Sequence, residues 1–172
     1  MTKQLPPTPE FSRPLIVDRV PRKGSHEVFA AEAAECNALA ARFALPNVYS
    51  INAHLVATPW RGGGLRVNGS FDVDLEQTSV VSLENFRTTR KYLVERYYLP
   101  PKATIDGVEE DADPIVNGLV DLGELVAETL GLELEPYPRK LGEDFKSAEP
   151  EIAPSPPKPV SPFARLSKPA KK

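Results

Sequence analysis

Side chains able to do chemistry are sparse in this 172-residue chain. Asp72 and Asp74 lie two apart in an alternating stretch, which sets both carboxylates on one face of a strand. Such a pair suits general acid/base work or a hard cation. Arg66, Asn68, Ser70 and Glu76 share that face and mark it as wet, so a solvated pair is the favoured reading. Cys36 is the one cysteine, so neither an intrachain disulfide nor a thiolate metal cluster can form. It falls on the apolar stripe of an expected helix, where a buried small hydrophobe is the simpler role than a nucleophile. His26 and His54 are the two histidines and are remote from each other in sequence. Pro59-Trp60-Arg61-Gly62-Gly63-Gly64 lacks the spacing and the Lys-Ser/Thr of a phosphate loop, and a strand follows it, so it reads as a flexible connection. No nucleophile elbow and no metal spacing is present. The expectation is a protein without catalytic residues, cofactor or metal.

Basic residues among aromatics offer a different chemistry. Arg87, Arg90, Lys91 and Arg96 are interleaved with Tyr92, Tyr97 and Tyr98, a pattern that can hold RNA by phosphate pairing and base stacking. The competing account pairs these bases with Asp72, Asp74 and Glu76 on a neighbouring antiparallel strand. A second basic set, Arg165, Lys168, Lys171 and Lys172, closes the chain. The net charge of -3 hides an uneven distribution. Residues 1–102 carry 13 Lys/Arg against 10 Asp/Glu, residues 103–135 carry ten acids and no base, and residues 151–172 carry five bases and one acid. The acidic middle repels phosphate and would face away from RNA, or would itself receive a basic partner.

These residues need a frame. Phe11 to Val20 reads as a first strand, closed by Pro21. Ser25 is a good N-cap, and an alanine-rich helix is expected from there to about Ala44, with Phe29, Cys36, Leu39, Ala40 and Phe43 on one stripe. Tyr49, Ile51, Ala53, Leu55 and Ala57 form one face of a strand, with His54 on the other. Leu65 to Glu76 is the clearest strand, its inner face being Leu65, Val67, Phe71, Val73 and Leu75. Phe86 to Tyr98 reads as another strand, with a helix as the alternative. Thr104 to Asp113 reads as an exposed acidic loop and Ile115 to Val120 as a short strand. Asp121-Leu122-Gly123-Glu124 has capping-box spacing, Val120 and Leu125 sit where a hydrophobic staple forms, and Gly131 can end the helix. The expected class is α+β: a largely antiparallel sheet packed with two main helices, about 25–44 and 121–131. Residues 1–9 read as a flexible start, 10–146 as one domain and 147–172 as a disordered tail rich in proline and lysine, in which Pro162-Phe163-Ala164-Arg165-Leu166 is an apolar island. No apolar run reaches the roughly 18 residues of a transmembrane helix, and no secretory h-region is seen, so the expectation is a cytoplasmic protein away from membranes.

Several segments together resemble the YceD family, the large ribosomal RNA subunit accumulation proteins. They are Phe11-Ser12-Arg13-Pro14-Leu15, the helix end Leu39-Ala40-Ala41-Arg42-Phe43, and Val67-Asn68-Gly69-Ser70-Phe71 running into Gln77-Thr78-Ser79-Val80-Val81-Ser82-Leu83-Glu84. The last is Asp121 to Glu128 running into Pro136-Tyr137-Pro138-Arg139. The resemblance spans residues 10–145 and rests on the order and spacing of these pieces. It implies a bacterial or plastid non-enzyme that supports accumulation of 23S ribosomal RNA, with that RNA or a ribosomal or assembly protein as partner. Asp121, Gly123, Glu124, Glu128, Pro136, Tyr137, Pro138 and Arg139 are then its candidate interaction residues. An interaction module that binds basic partners through the acidic segment, with no RNA role, is the alternative. Many members carry C-x-R-C-L where Ser79-Val80-Val81-Ser82-Leu83 stands here, and some carry cysteines where Pro138 to Phe145 lies. Serine hydroxyls do not replace thiolates as zinc ligands, so this chain is expected to fold without zinc.

Overall fold

The computed structural model describes residues 9–101 and 112–143. The tail bases Arg165, Lys168, Lys171 and Lys172, the expected 147–172 tail, nearly all of the expected flexible start and most of the 104–113 loop lie outside the described residues. The class is α+β. Three long strands, β3 (Asn47–Trp60), β4 (Gly64–Thr78) and β5 (Asn85–Leu99), form an antiparallel meander. An edge strand β2 (Ser25–Ala30) pairs with β3, and β6 (Ala112–Pro114) runs parallel to β5, giving the order β2-β3-β4-β5-β6. A separate two-stranded ladder joins β1 (Pro14–Ile16) to β7 (Leu119–Asp121). Helices α1 (Ala33–Arg42) and α2 (Leu122–Glu133) complete the described fold.

Alternation builds the core. Ile51, Ala53, Leu55 and Ala57 of β3 and Leu65, Val67, Phe71, Val73 and Leu75 of β4 are buried on one face of the sheet. Phe11, Leu39, Leu122, Leu125, Val126 and Leu130 join the same cluster. At about 25 cal/mol per Å2 of buried apolar surface, this cluster is the main source of stability. The other face is open among the described residues: Asn52, His54, Val28 and Leu93 are exposed there. β5 is a strand over its whole length, which removes the helical alternative.

Several expectations are corrected. Residues 25–30 are strand, not helix: Glu27 and Phe29 point toward the core side, while His26 and Val28 point out. The exposed edge of β3 supplies the ladder that overrides local helix preference. The helix begins at Ala33, capped by Glu32 and Glu35 in a capping box, so Ser25 caps nothing helical. Only Pro14–Ile16 of the expected Phe11–Val20 strand is extended, because Val17–Arg19 closes a 3-10 turn through Val20 N to Val17 O. Tyr49 faces outward, since a register shift between Val48 and Ser50 turns Val48 inward instead. Ala112 and Asp113 belong to β6, and only Leu119–Val120 of the expected Ile115–Val120 strand is paired in β7. Gly131 lies inside α2, where the Phe43 ring comes so close that a Cβ would sit 2.8 Å from it. Glu124 does not close a capping box; it reaches Arg42.

Candidate functional site

Two segments far apart in the chain, 11–13 and 121–124, meet at Asp121. Its Oδ1 accepts from Arg13 N (2.7 Å), Gly123 N (3.0 Å) and Glu124 N (3.2 Å), and its Oδ2 from the Ser12 hydroxyl (2.5 Å). Leu122 N donates back to Arg13 O at 3.0 Å. A Cβ on Gly123 would lie 2.6 Å from Phe11 O, so only glycine allows this approach. Arg13 donates to both oxygens of Glu35 (2.7 and 2.9 Å) and to Ala30 O (3.0 Å), and its guanidinium sits 4.8 Å from the Phe11 ring centre. The Arg13 bond holds the Glu35 carboxyl below its ordinary value, and Glu35 raises Arg13. Arg42 bridges Glu10 and Glu124, both at 3.0 Å. The polar groups of Asp121 and Glu124 are thus engaged within the fold.

Beside this hub lies a groove of about 580 Å3 between α2 and the β6–β7 turn. Pro9, Pro14, Val116, Leu119 and Tyr98 give it apolar walls, and Asp113, Glu124 and Glu128 give it negative charge. The Glu128 carboxyl is pushed up, first by partial desolvation and then by Glu124 and Asp113. Burial likewise pushes the Tyr98 hydroxyl up. Glu128 is in none of the ion pairs among the described residues. Such a surface suits a cationic segment with an apolar anchor.

The other expected residues disperse. Pro136 and Pro138 line a second hollow of about 510 Å3 with Phe43, Leu45 and Gln77. Tyr137 is 70% exposed and Arg139 is exposed. Pro138 O accepts from Val80 N at 2.9 Å. Next to it, the hydroxyls of Ser79 and Ser82 donate to the two oxygens of Glu143, and Lys140 N donates to the same carboxylate at 3.2 Å. Ser79 and then Ser82 hold the Glu143 carboxyl below its ordinary value. This carboxylate ties the β4–β5 turn to the segment after α2.

The four basic residues expected to form one RNA surface do not share a face. Arg90 and Arg96 stand opposite Val73 and Val67, on the helix side of the sheet. Arg87 and Lys91 stand opposite Glu76 and Asp72, on the open side. Alternation of the strand forces this split. Arg87 donates to both Asp74 oxygens (2.8 and 2.5 Å) and lies 4.1 Å from the Tyr49 ring centre, and it holds the Asp74 carboxyl low. Arg90 reaches Glu135 and Arg96 reaches Asp113, each at 3.7 Å. Cross-strand pairing therefore accounts for Arg87, while Arg90 and Arg96 find acids on other elements. Asp72 and Asp74 sit among these bases, and among the described residues no group of three or more His, Cys, Asp or Glu is placed to hold a metal. The Cys36 thiol is buried and raised by that burial.

One cluster was not read from the sequence. Trp60 packs on Tyr97 with ring centres 4.8 Å apart, at the end of the sheet where β3 turns into β4. Arg66 lies 5.8 Å from the Tyr97 ring centre and bonds Glu95 at 2.8 Å. The signal was the aromatic-arginine-glycine run 60–64, tested above only as a phosphate loop. Among the described residues, no helix is long and apolar enough to cross a membrane. No family model, curated protein or solved structure matches the chain.

Proposed function

We propose that this protein is a non-enzymatic cytoplasmic factor of ribosome biogenesis that supports accumulation and processing of large-subunit ribosomal RNA. Its partner is that RNA or a ribosomal protein carried on it. The supporting observation is the Asp121 hub: segments 11–13 and 121–124, which resemble one family, interlock through three hydrogen bonds and a glycine contact. Residues of the motif that face outward, Glu128 above all, then border a groove able to take a partner. A deletion strain tests the reading. It should show a lowered ratio of large- to small-subunit ribosomal RNA, most clearly in the cold, and an unchanged ratio overturns it.

The acidic groove favours a second reading, a module for basic protein partners with no RNA role. Affinity recovery of ribosomal proteins with and without nuclease separates the two. Recovery that needs intact RNA supports the first, and nuclease-resistant recovery with an unchanged RNA ratio supports the second.

A further inference from the structure

The β3–β4 turn gathers groups that suit single-stranded nucleic acid. Trp60 and Thr58 of β3, Arg66 of β4 and Tyr97 of β5 lie on the open face, with Thr58, Arg66 and Tyr97 in one cross-strand row. Trp60 stands opposite Gly64, two residues along from that row, and its ring meets Tyr97 on a diagonal, with centres 4.8 Å apart and planes tilted by 53°. Arg61 opens the turn and is exposed. Gly62 and Gly63 follow at φ of 68° and 76° and are exposed, with the Pro100 ring beside Gly63. Arg22 and Lys23 come from the exposed turn before β2, and the next residue, Gly24, stands against Thr58, with 2.9 Å between its Cβ position and Thr58 Cγ2. Arg22, Lys23 and Arg61 are in none of the ion pairs among the described residues.

We propose that this end of the sheet is a binding site for single-stranded RNA, with Trp60 and Tyr97 as the stacking platform and Arg22, Lys23 and Arg61 as phosphate contacts. The proposal rests on the ribosomal RNA reading and supplies its point of direct contact. Base stacking on an aromatic pair needs no particular sequence, and unpaired cations around it hold the backbone. The glycine turn lets a phosphate approach main-chain N–H groups closely. A shared platform of rings and cations flanked by bare backbone fits a nucleotide better than an apolar peptide.

Trp60 is the single tryptophan of the chain, so its emission reports on the site itself. The full-length protein is titrated with a labelled single-stranded RNA of about 12 nucleotides, a usual site size. Trp60 emission and label anisotropy are read together. Saturable quenching that tracks anisotropy is expected. Three phosphate contacts, at about 0.7 each, give a log–log salt slope near -2. Lys23→Glu with Arg61→Glu should weaken binding about tenfold or more, and Tyr97→Leu should reduce the quenching. Lys140→Glu, at the opposite end of the sheet beside Glu84, should leave affinity unchanged. The substitutions at 23 and 61 sit in exposed turns, and an unshifted melting temperature confirms that folding is not the cause. RNA binding with Trp60 emission unmoved overturns the site while leaving the ribosomal RNA reading standing. No anisotropy change overturns direct contact here, and the RNA ratio of the deletion strain still decides the wider reading.

Discussion

Removing the Asp121 carboxylate tests whether one side chain joins the two ends of the described fold. In Asp121→Ala, Gly123 N and Glu124 N lose their cap, a change that costs about 1 kcal/mol. Arg13 N and the Ser12 hydroxyl lose their acceptor in a half-buried setting. An unmade buried hydrogen bond costs about 1 kcal/mol at the low end, so the two add about 2 kcal/mol. The total of about 3 kcal/mol is a large part of the 5–15 kcal/mol typical of a domain. With a urea slope of about 2 kcal/mol per M, the midpoint should fall by about 1.5 M. Asp121→Asn keeps an acceptor for the three backbone donors and offers Ser12 an amide in place of the second oxygen. Its cost should be about 1 kcal/mol, the difference between charge-assisted and neutral bonds. Far-ultraviolet circular dichroism of the full chain in urea, with Trp60 emission as a second probe, gives both values. An alanine variant within 1 kcal/mol of the parent, or an asparagine variant as unstable as the alanine one, refutes the reasoning.

Two further outcomes follow from close contacts. Gly123→Ala drives a methyl to 2.6 Å from Phe11 O and 3.0 Å from Arg13 N, main-chain atoms fixed by the Asp121 hub. It should cost about 2 kcal/mol or more, seen as a clear fall in melting temperature. Gly131→Ala meets only the edge of the Phe43 ring and gains about 1 kcal/mol of helix preference, so its melting temperature should change much less. At the β4–β5 turn, Ser79 and Ser82 lower the Glu143 carboxyl. The resulting stabilisation is complete above the unfolded value near pH 4.3 and is lost as pH falls through the lower folded value. Glu143→Gln should therefore flatten the acid side of the stability profile, and elemental analysis of purified protein should find no stoichiometric zinc. Bound zinc, or an acid limb unchanged by Glu143→Gln, would refute the clasp.

Elements whose information is local were legible, and those that depend on a partner strand were not. β4 alternates from Leu65 to Leu75 with Gly69 as the one gap in its apolar face, and that inner face came out residue by residue. The Asp121 cap was also visible, because the acceptor and its donors lie within three residues. Residues 25–30 misled because Phe29 fits a helical stripe as well as an alternating one. The deciding fact is the β3 edge from Asn52 to Ala57, which no window around Phe29 contains. Tyr49 was misplaced by a single extra residue in the ladder, and a bulge reverses every face before it. The division of the basic residues was legible in principle. Arg87 and Lys91 have odd numbers and Arg90 and Arg96 even ones, so one continuous strand must set them on opposite sides.

The same parity shapes how the protein meets its surroundings. Tyr97 and Tyr98 are consecutive in β5, yet Tyr97 belongs to the Trp60 cluster on the open face and Tyr98 walls the acidic groove on the other. A cationic surface and an anionic one therefore sit back to back across a single strand. Asp121, Gly123 and Glu124 are already explained by the hub, so the motif residues left to meet a partner are the outward ones. Glu128 in particular keeps a carboxylate that folding disfavours, next to Glu124 and Asp113. A cation brought there by a basic protein would relieve that repulsion, while RNA would be turned away from the groove and toward Arg22, Lys23 and Arg61. If the proposed ribosomal reading holds, the partner would present both chemistries, a basic protein segment and unpaired RNA. On that reading the acidic groove and the Trp60 turn each engage their own partner, since Tyr98 and Tyr97 set them on opposite sides of β5.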